Sequence, residues 1–211
     1  MAGAAVRKYL REDVYHMLVC KPRTISHREL YLLGRQAQGS VKNIYLHWTA
    51  GRYDQVFDDY HLNIGRNGEL YQTCSSLKQR KSHTYRRNTD AVGIALCCAC
   101  NASCGSGNID FGPEPPTEVQ IDKAAMAVAI LTEALGLKIG FETVKTHAEA
   151  AFIDGYGPGS GDSETRWDLW MLPDLPLTRK LRPGGQVLRG KALWYAALFE
   201  ERRRTGAERV P

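Results

Sequence analysis

The sequence predicts a single domain of the α/β class, and three stretches carry that prediction. They are an apolar run ending in a histidine, Asn43-Ile44-Tyr45-Leu46-His47-Trp48; a strand, Asn-Gly turn, strand pattern between His61 and Gln72; and a long helical pattern opening at Thr117. At 211 residues the chain is long enough for one well-buried domain with decoration, and too short for two catalytic domains with a linker. Residues 1–40 read as an N-terminal helical extension packed on the core, and residues 41–211 as the main domain.

Taken in order, residues 23–38 carry Ile25, Leu30, Leu32, Leu33 and Ala37 among polar positions, an amphipathic helix with Ser26 as its cap. The run at 43–48 reads as a buried strand that Thr49-Ala50-Gly51 ends, which puts His47 at a C-terminal strand end, where α/β sheets place ligands. Residues 55–60 read as a short helix, followed by the hairpin around Asn67-Gly68. Residues 91–98 form a second apolar strand, and the stretch from there to Pro116, rich in Gly, Pro, Asn and Ser, reads as a long surface loop. In the helix after Thr117, Val119, Ala124, Ala125, Val128, Ile130, Leu131, Ala134 and Leu135 supply the buried face, and Gly136 stops it. Residues 141–146 are a short strand leading into His147, and 153–163 a glycine-dominated mobile loop. Residues 188–204 are helical, with Leu193, Trp194, Ala197 and Leu198 facing inward and a basic end.

Hydrophobic content of 43% and charged content of 24% exclude disordered and fibrous classes. A net charge of +5 favours an anionic partner, with cell wall, nucleic acid and acidic lipid all qualifying. Nucleic acid is set aside because no recognisable binding module is present. The glycine-rich stretch neither follows a strong strand nor ends in Gly-Lys-Ser/Thr, so it is not read as a phosphate loop. No segment reaches the roughly 18 apolar residues of a membrane helix, and the apolar run at 17–19 is too short for a signal-peptide core. The expectation is a chain made in the cytoplasm without membrane insertion. Cys97, Cys98, Cys100 and Cys104 are read as buried small hydrophobes ahead of a metal site or disulfide.

His47, His147 and Asp168 have the donor types zinc prefers, and two imidazoles with one carboxylate leave a fourth tetrahedral position open, the pattern of a catalytic site. Asp162 and Glu164 are rival carboxylates for the third place; Trp167 and Leu169 frame Asp168 as an ordered position.

Read together, several pieces from Asn43 to Trp170 resemble the zinc amidases of the phage lysozyme and peptidoglycan recognition protein superfamily. They are His47-Trp48-Thr49-Ala50-Gly51, Tyr60-His61, Ile64-Gly65-Arg66-Asn67-Gly68-Glu69, Ser82-His83-Thr84, Val92-Gly93-Ile94, Thr146-His147-Ala148-Glu149 and Arg166-Trp167-Asp168. The resemblance implies a mixed central β-sheet flanked by helices, with a groove over the strand ends. It implies that residues 41–211 are a catalytic domain using Zn2+, with His47, His147 and Asp168 as ligands. Tyr60 falls on the family's active-site tyrosine, and Arg166 falls where these amidases often carry lysine, a departure because a planar guanidinium does not superimpose on an ammonium. His147 and Asp168 are 21 positions apart (168 minus 147), longer than lysozyme-type members suggest.

By the same resemblance Tyr60 and Arg166 stabilise an oxyanion, Glu149 is a candidate proton carrier, and His61, His83 and Thr49 are candidate substrate contacts. The implied activity is hydrolysis of the amide between N-acetylmuramic acid and L-alanine in bacterial peptidoglycan. A phage or prophage endolysin, released with the help of a holin and acting on the wall, is the first expectation. A cytoplasmic muropeptide-recycling amidase and a non-catalytic peptidoglycan-binding module are the alternatives.

Overall fold

The computed structural model of the protein describes residues 22–105, 108–161, 166–174 and 180–206. The expectations for the N-terminal stretch before residue 22 and for the rival carboxylates Asp162 and Glu164 lie outside the described residues.

The chain forms β1 (Arg23–Thr24), α1 (His27–Ala37), β2 (Asn43–Trp48), β3 (Leu62–Ile64), β4 (Leu70–Gln72), β5 (Ala91–Leu96), β6 (Ser103–Gly105) and β7 (Asn108–Asp110). There follow α2 (Glu118–Leu135), β8 (Val144–Thr146), α3 (His147–Asp154), β9 (Met171–Pro173), β10 (Leu181–Pro183) and α4 (Gly184–Thr205). The central sheet has the order β1-β4-β3-β5-β2-β8. It is mixed: β2 runs parallel to β5 and β8, β3 runs parallel to β5, and the β3–β4 hairpin and β1–β4 pair are antiparallel.

The middle strands are buried on both sides, as parallel strands covered by helices must be. Ile44, Leu46 and Trp48 of β2 share a face with Val92, Ile94 and Leu96 of β5, and that face joins Ile121, Val128 and Leu131 of α2 in the main core. Each such leucine or isoleucine contributes about 1.5–3 kcal/mol by leaving water. On the opposite face Tyr45 and Ala91 pack with Ala150 of α3. Alternation along β2 therefore puts His47 on the α3 side, away from the main core.

Ser26 caps α1 and Thr117 caps α2, each through a capping box, and Gly136 ends α2 in the left-handed region at φ 73°. The hairpin turns at Gly68, whose φ of 87° suits only a residue without a side chain.

Several local expectations are corrected. Residues 55–60 form turns, because the Asn63 amide accepts from Phe57 N–H and donates to Phe57 C=O, satisfying the backbone that a helix would have used. Buried Lys81 adds to this by donating to Asp58 C=O at 2.7 Å. The β5 strand stops at Leu96, β8 begins only at Val144, and the long loop before Pro116 contains the β6–β7 hairpin. Val119 is exposed at the first turn of α2. The inward face of α4 is Leu188, Ala192 and Phe199, so Leu193 and Trp194, 54% and 60% exposed, point outward. Cys97 and Cys98 are buried and Cys100 and Cys104 half-buried; burial pushes the Cys97 thiol up to about 12. Among the described residues no helix is long and apolar enough to cross a membrane.

Candidate metal and catalytic site

Two parallel strands bring the histidines together. Leu46 of β2 pairs with Thr146 of β8, so His47 and His147, the next residue on each, emerge at the same level of the sheet. Thr146 caps α3, accepting from Glu149 N–H at 3.2 Å, which turns the chain sharply enough to start a helix on His147. The two rings lie 4.8 Å apart, centroid to centroid, at 70°.

Asp168 arrives on a later segment that is fixed at several points. Trp167 packs edge-on against Trp48 at 5.2 Å, and Asp168 C=O accepts from Ala148 N–H at 3.3 Å. Leu169 is buried and held at φ 58°, a left-handed conformation that a leucine adopts at a cost. The Asp168 carboxylate then lies between the rings, Oδ2 at 2.9 Å from His47 Nδ1 and Oδ1 at 3.0 Å from His147 Nδ1. His47, His147 and Asp168 are all buried, and one donor atom from each lies within 4.8 Å of the others.

Burial would raise the Asp168 carboxyl, but the adjoining His147 and His47 outweigh it and hold its pKa well below the usual range. Burial lowers His47 more than Asp168 raises it. The result is an ionised carboxylate facing a neutral imidazole, the protonation state that metal donors require.

Two cavities open over this cluster, of about 720 Å³ and 390 Å³, and Ser82, His83, His147 and Arg166 line both. Tyr60, Thr49 and Asp168 line the smaller one. The Tyr60 ring stands 5.1 Å from that of His47, and burial followed by the Asp168 charge raises its phenol, which stays protonated. Thr49 Oγ1 accepts from Gly51 N–H at 3.1 Å. Arg166 is exposed, with its N–H donating to Tyr156 C=O at 3.2 Å. His83 is buried against the sheet, its pKa pushed down to about 2 by burial and then by the neighbouring His47, His61 and His147.

Two residues expected at the site are not brought to it. His61 is fully buried, its Nε2 donating to Gln79 C=O at 2.6 Å and its Nδ1 accepting from Gly93 N–H at 3.0 Å. Glu149 lines neither cavity; its carboxylate accepts from Thr146 N–H at 2.9 Å and from both prongs of Arg189 at 2.7 and 2.8 Å.

Two further residues, to which the sequence assigned no role, border the site. Tyr156 lines the larger cavity with a buried hydroxyl that has no hydrogen-bond partner among the described residues, and burial pushes it up to about 12. Thr84 brings its Oγ1 within 3.2 Å of His47 Nε2 and 2.9 Å of His83 Nδ1. Neither follows from residue type; only their place against the histidines marks them.

No curated protein matches the sequence. Among solved structures, the endolysine N-acetylmuramoyl-L-alanine amidase LysCS from Clostridium intestinale URNW is 19% identical with a TM-score of 0.38, over 51% of this chain and 69% of that one. The Ph2119 endolysin from Thermus scotoductus MAT2119 bacteriophage Ph2119 is 16% identical with a TM-score of 0.39, over 62% of this chain and 77% of that one. The model of the N-acetylmuramoyl-L-alanine amidase family matches residues 37–160, a span that includes His47, Tyr60 and His147 and ends before Arg166 and Asp168. With that match over more than half its length, the chain belongs to the N-acetylmuramoyl-L-alanine amidase family.

Proposed function

We propose that the protein is a zinc-dependent hydrolase of the lactyl amide joining N-acetylmuramic acid to L-alanine in peptidoglycan. The observation that carries the zinc reading is the convergence of His47, His147 and Asp168, buried, with donor atoms within 4.8 Å of one another at the base of the groove. Two imidazole nitrogens and a carboxylate fit zinc and leave room for a fourth ligand, whereas a calcium or magnesium site would be built from oxygen. Zinc held there supplies a Lewis acid for the scissile carbonyl and lowers the pKa of the attacking water.

The chain's own groups do the rest. Arg166 and the protonated phenol of Tyr60 face the same cavity and donate to the oxygen on which negative charge develops. Thr49 and His83 line the walls that receive the substrate, and the larger cavity bordered by Tyr85, Arg86 and Tyr156 has room for the stem peptide. Glu149 acts on the fold: it closes the start of α3 and ties it to α4 through Arg189.

Retention of the three donors together with Tyr60 favours catalysis over a binding module. We further propose that the substrate is the intact wall, as for a phage or prophage endolysin released by a holin, because a net charge of +5 favours an extended anionic polymer. Protein purified without added metal should contain about one zinc per chain. It should clear intact sacculi faster than it cleaves soluble anhydro-muropeptides. Zinc near zero with no activation on adding it would promote the binding module, and a preference for the soluble fragments would make it a recycling enzyme.

A further inference from the structure

Thr84 is 1% exposed, and its Oγ1 lies 3.2 Å from His47 Nε2 and 2.9 Å from His83 Nδ1. From these contacts we infer that Thr84 is a positioning residue that fixes the tautomer of His47 for metal binding. The inference rests on the zinc reading above and concerns how one of its ligands is prepared.

A neutral imidazole carries one ring proton. His47 turns Nδ1 toward Asp168 and His147, so for Nδ1 to offer a lone pair the proton must sit on Nε2. In a buried position that N–H needs an acceptor, and the Thr84 hydroxyl is within reach of it. Oγ1 has one proton and two lone pairs, so accepting from His47 directs its own O–H to His83 Nδ1. Hydrogen bonds then run in one direction, from His47 to Thr84 to His83. Without the Oγ1 acceptor the ring is better satisfied with its proton on Nδ1, donating to Asp168, and the donor lone pair is lost to the metal.

The surroundings hold this arrangement in place. Asn88 Oδ1 accepts from both Thr84 N–H at 2.7 Å and His83 N–H at 3.1 Å, and Arg87 N–H donates to Thr84 C=O at 3.0 Å. The His83 ring lies directly over Gly93 of β5, where an added Cβ would come 2.6 Å from its Cγ. Threonine suits the place because its branched Cβ limits χ1, so the hydroxyl stays aimed between the two rings. His147 has no such support, since its Nε2 is buried without a hydrogen-bond partner among the described residues. The two histidines are thus prepared unequally, and His47 is the ligand whose orientation is set in advance.

The test is zinc affinity by chelator competition on the full chain, with 15N spectra of the histidine rings in the zinc-loaded wild type. Thr84→Val, which keeps the shape and removes the acceptor, should weaken zinc binding by about 10–100-fold, the range for losing an outer-shell partner. Thr84→Ser should restore most of it. The wild-type spectrum should show the His47 proton on Nε2. Unchanged affinity in Thr84→Val, or a Thr84→Ser variant as weak as the valine, would overturn the inference while leaving the zinc site standing. If Thr84→Val does not fold, Thr84→Ala, which also removes the acceptor, takes its place, and unchanged zinc affinity there refutes it. A wild-type chain that takes up no zinc removes both this inference and the reading beneath it.

Discussion

His47 and His147 stand 100 positions apart in the chain (147 minus 47), yet neighbouring parallel strands deliver them side by side. Tyr156 and Arg166, which line the larger cavity with His147, come after α3 and lie outside the named strands. The two histidines of the floor are therefore set by strand register, Asp168 joins them from the same later segment as Arg166, and all three donors are buried. The rim offers Arg166, an exposed residue, and the buried Tyr156 hydroxyl, which has no hydrogen-bond partner among the described residues. The difference teaches a division of labour: changes in the floor should be read out in metal content, and changes in the rim in turnover at unchanged metal content.

The largest expected effect breaks the floor. Asp168→Ala removes the carboxylate that spans both imidazoles and should lose zinc and activity together, with metal analysis and hydrolysis measured on one preparation. A variant that kept its zinc would shift the third ligand to another carboxylate.

At the rim, Arg166→Ala should lower kcat by roughly 10²–10³ at normal zinc occupancy, the magnitude for losing one oxyanion donor. Arg166→Lys recovers most of this if charge alone counts and little if the two-pronged geometry is required. Loss of zinc in Arg166→Ala would erase the distinction between floor and rim.

Smaller still is the effect of Glu149, which belongs to neither. Glu149→Ala should cost about 2–3 kcal/mol of stability by leaving Arg189 and the Thr146 N–H without their acceptor, with kcat of the folded protein near wild type. Denaturant unfolding and kinetics on the same variant separate this from a catalytic role, which would show as a fall in kcat at normal stability.

The smallest effect sits beneath the rim, where Arg87 pairs with Asp154 at 2.6 Å through both prongs. The Arg87 hydrogen bonds hold the Asp154 carboxyl below the 3.8 of a free aspartate. A group whose pKa is lower folded than unfolded stabilises the fold fully above its unfolded value and loses that contribution as pH falls through the folded one. Asp154→Asn should therefore lower stability at pH 7 by up to about 1 kcal/mol, and the gap to wild type should close below the 3.8 reference. A gap that persisted in acid would mean that the pair acts through packing.

Much of the floor was legible in the chain because local signals and strand ends coincide there. The apolar run at 43–48 ending in Thr49-Ala50-Gly51 marks where His47 must lie, and a short strand before His147 marks the second histidine. What escaped depends on partners distant in sequence. Glu149 looks like a free carboxylate beside a ligand until Arg189, 40 positions on, is seen to occupy it. Thr84 has an ordinary side chain whose meaning comes from a contact with a residue 37 positions earlier. The α4 helix has apolar residues on more than one side, so periodicity could not say that Leu188, Ala192 and Phe199 face the core while Leu193 and Trp194 face out. At 55–60 the Asn63 side chain overrode a weak helical preference.

The most direct test of the central claim is amino-group labelling of a peptidoglycan digest, run with the protein as purified, after chelation, and after zinc is restored. The account predicts new free L-alanine amino groups with no new reducing sugar ends, lost on chelation and regained with zinc. New reducing ends without new amino groups, or release of alanine amino groups unaffected by chelation, would contradict it.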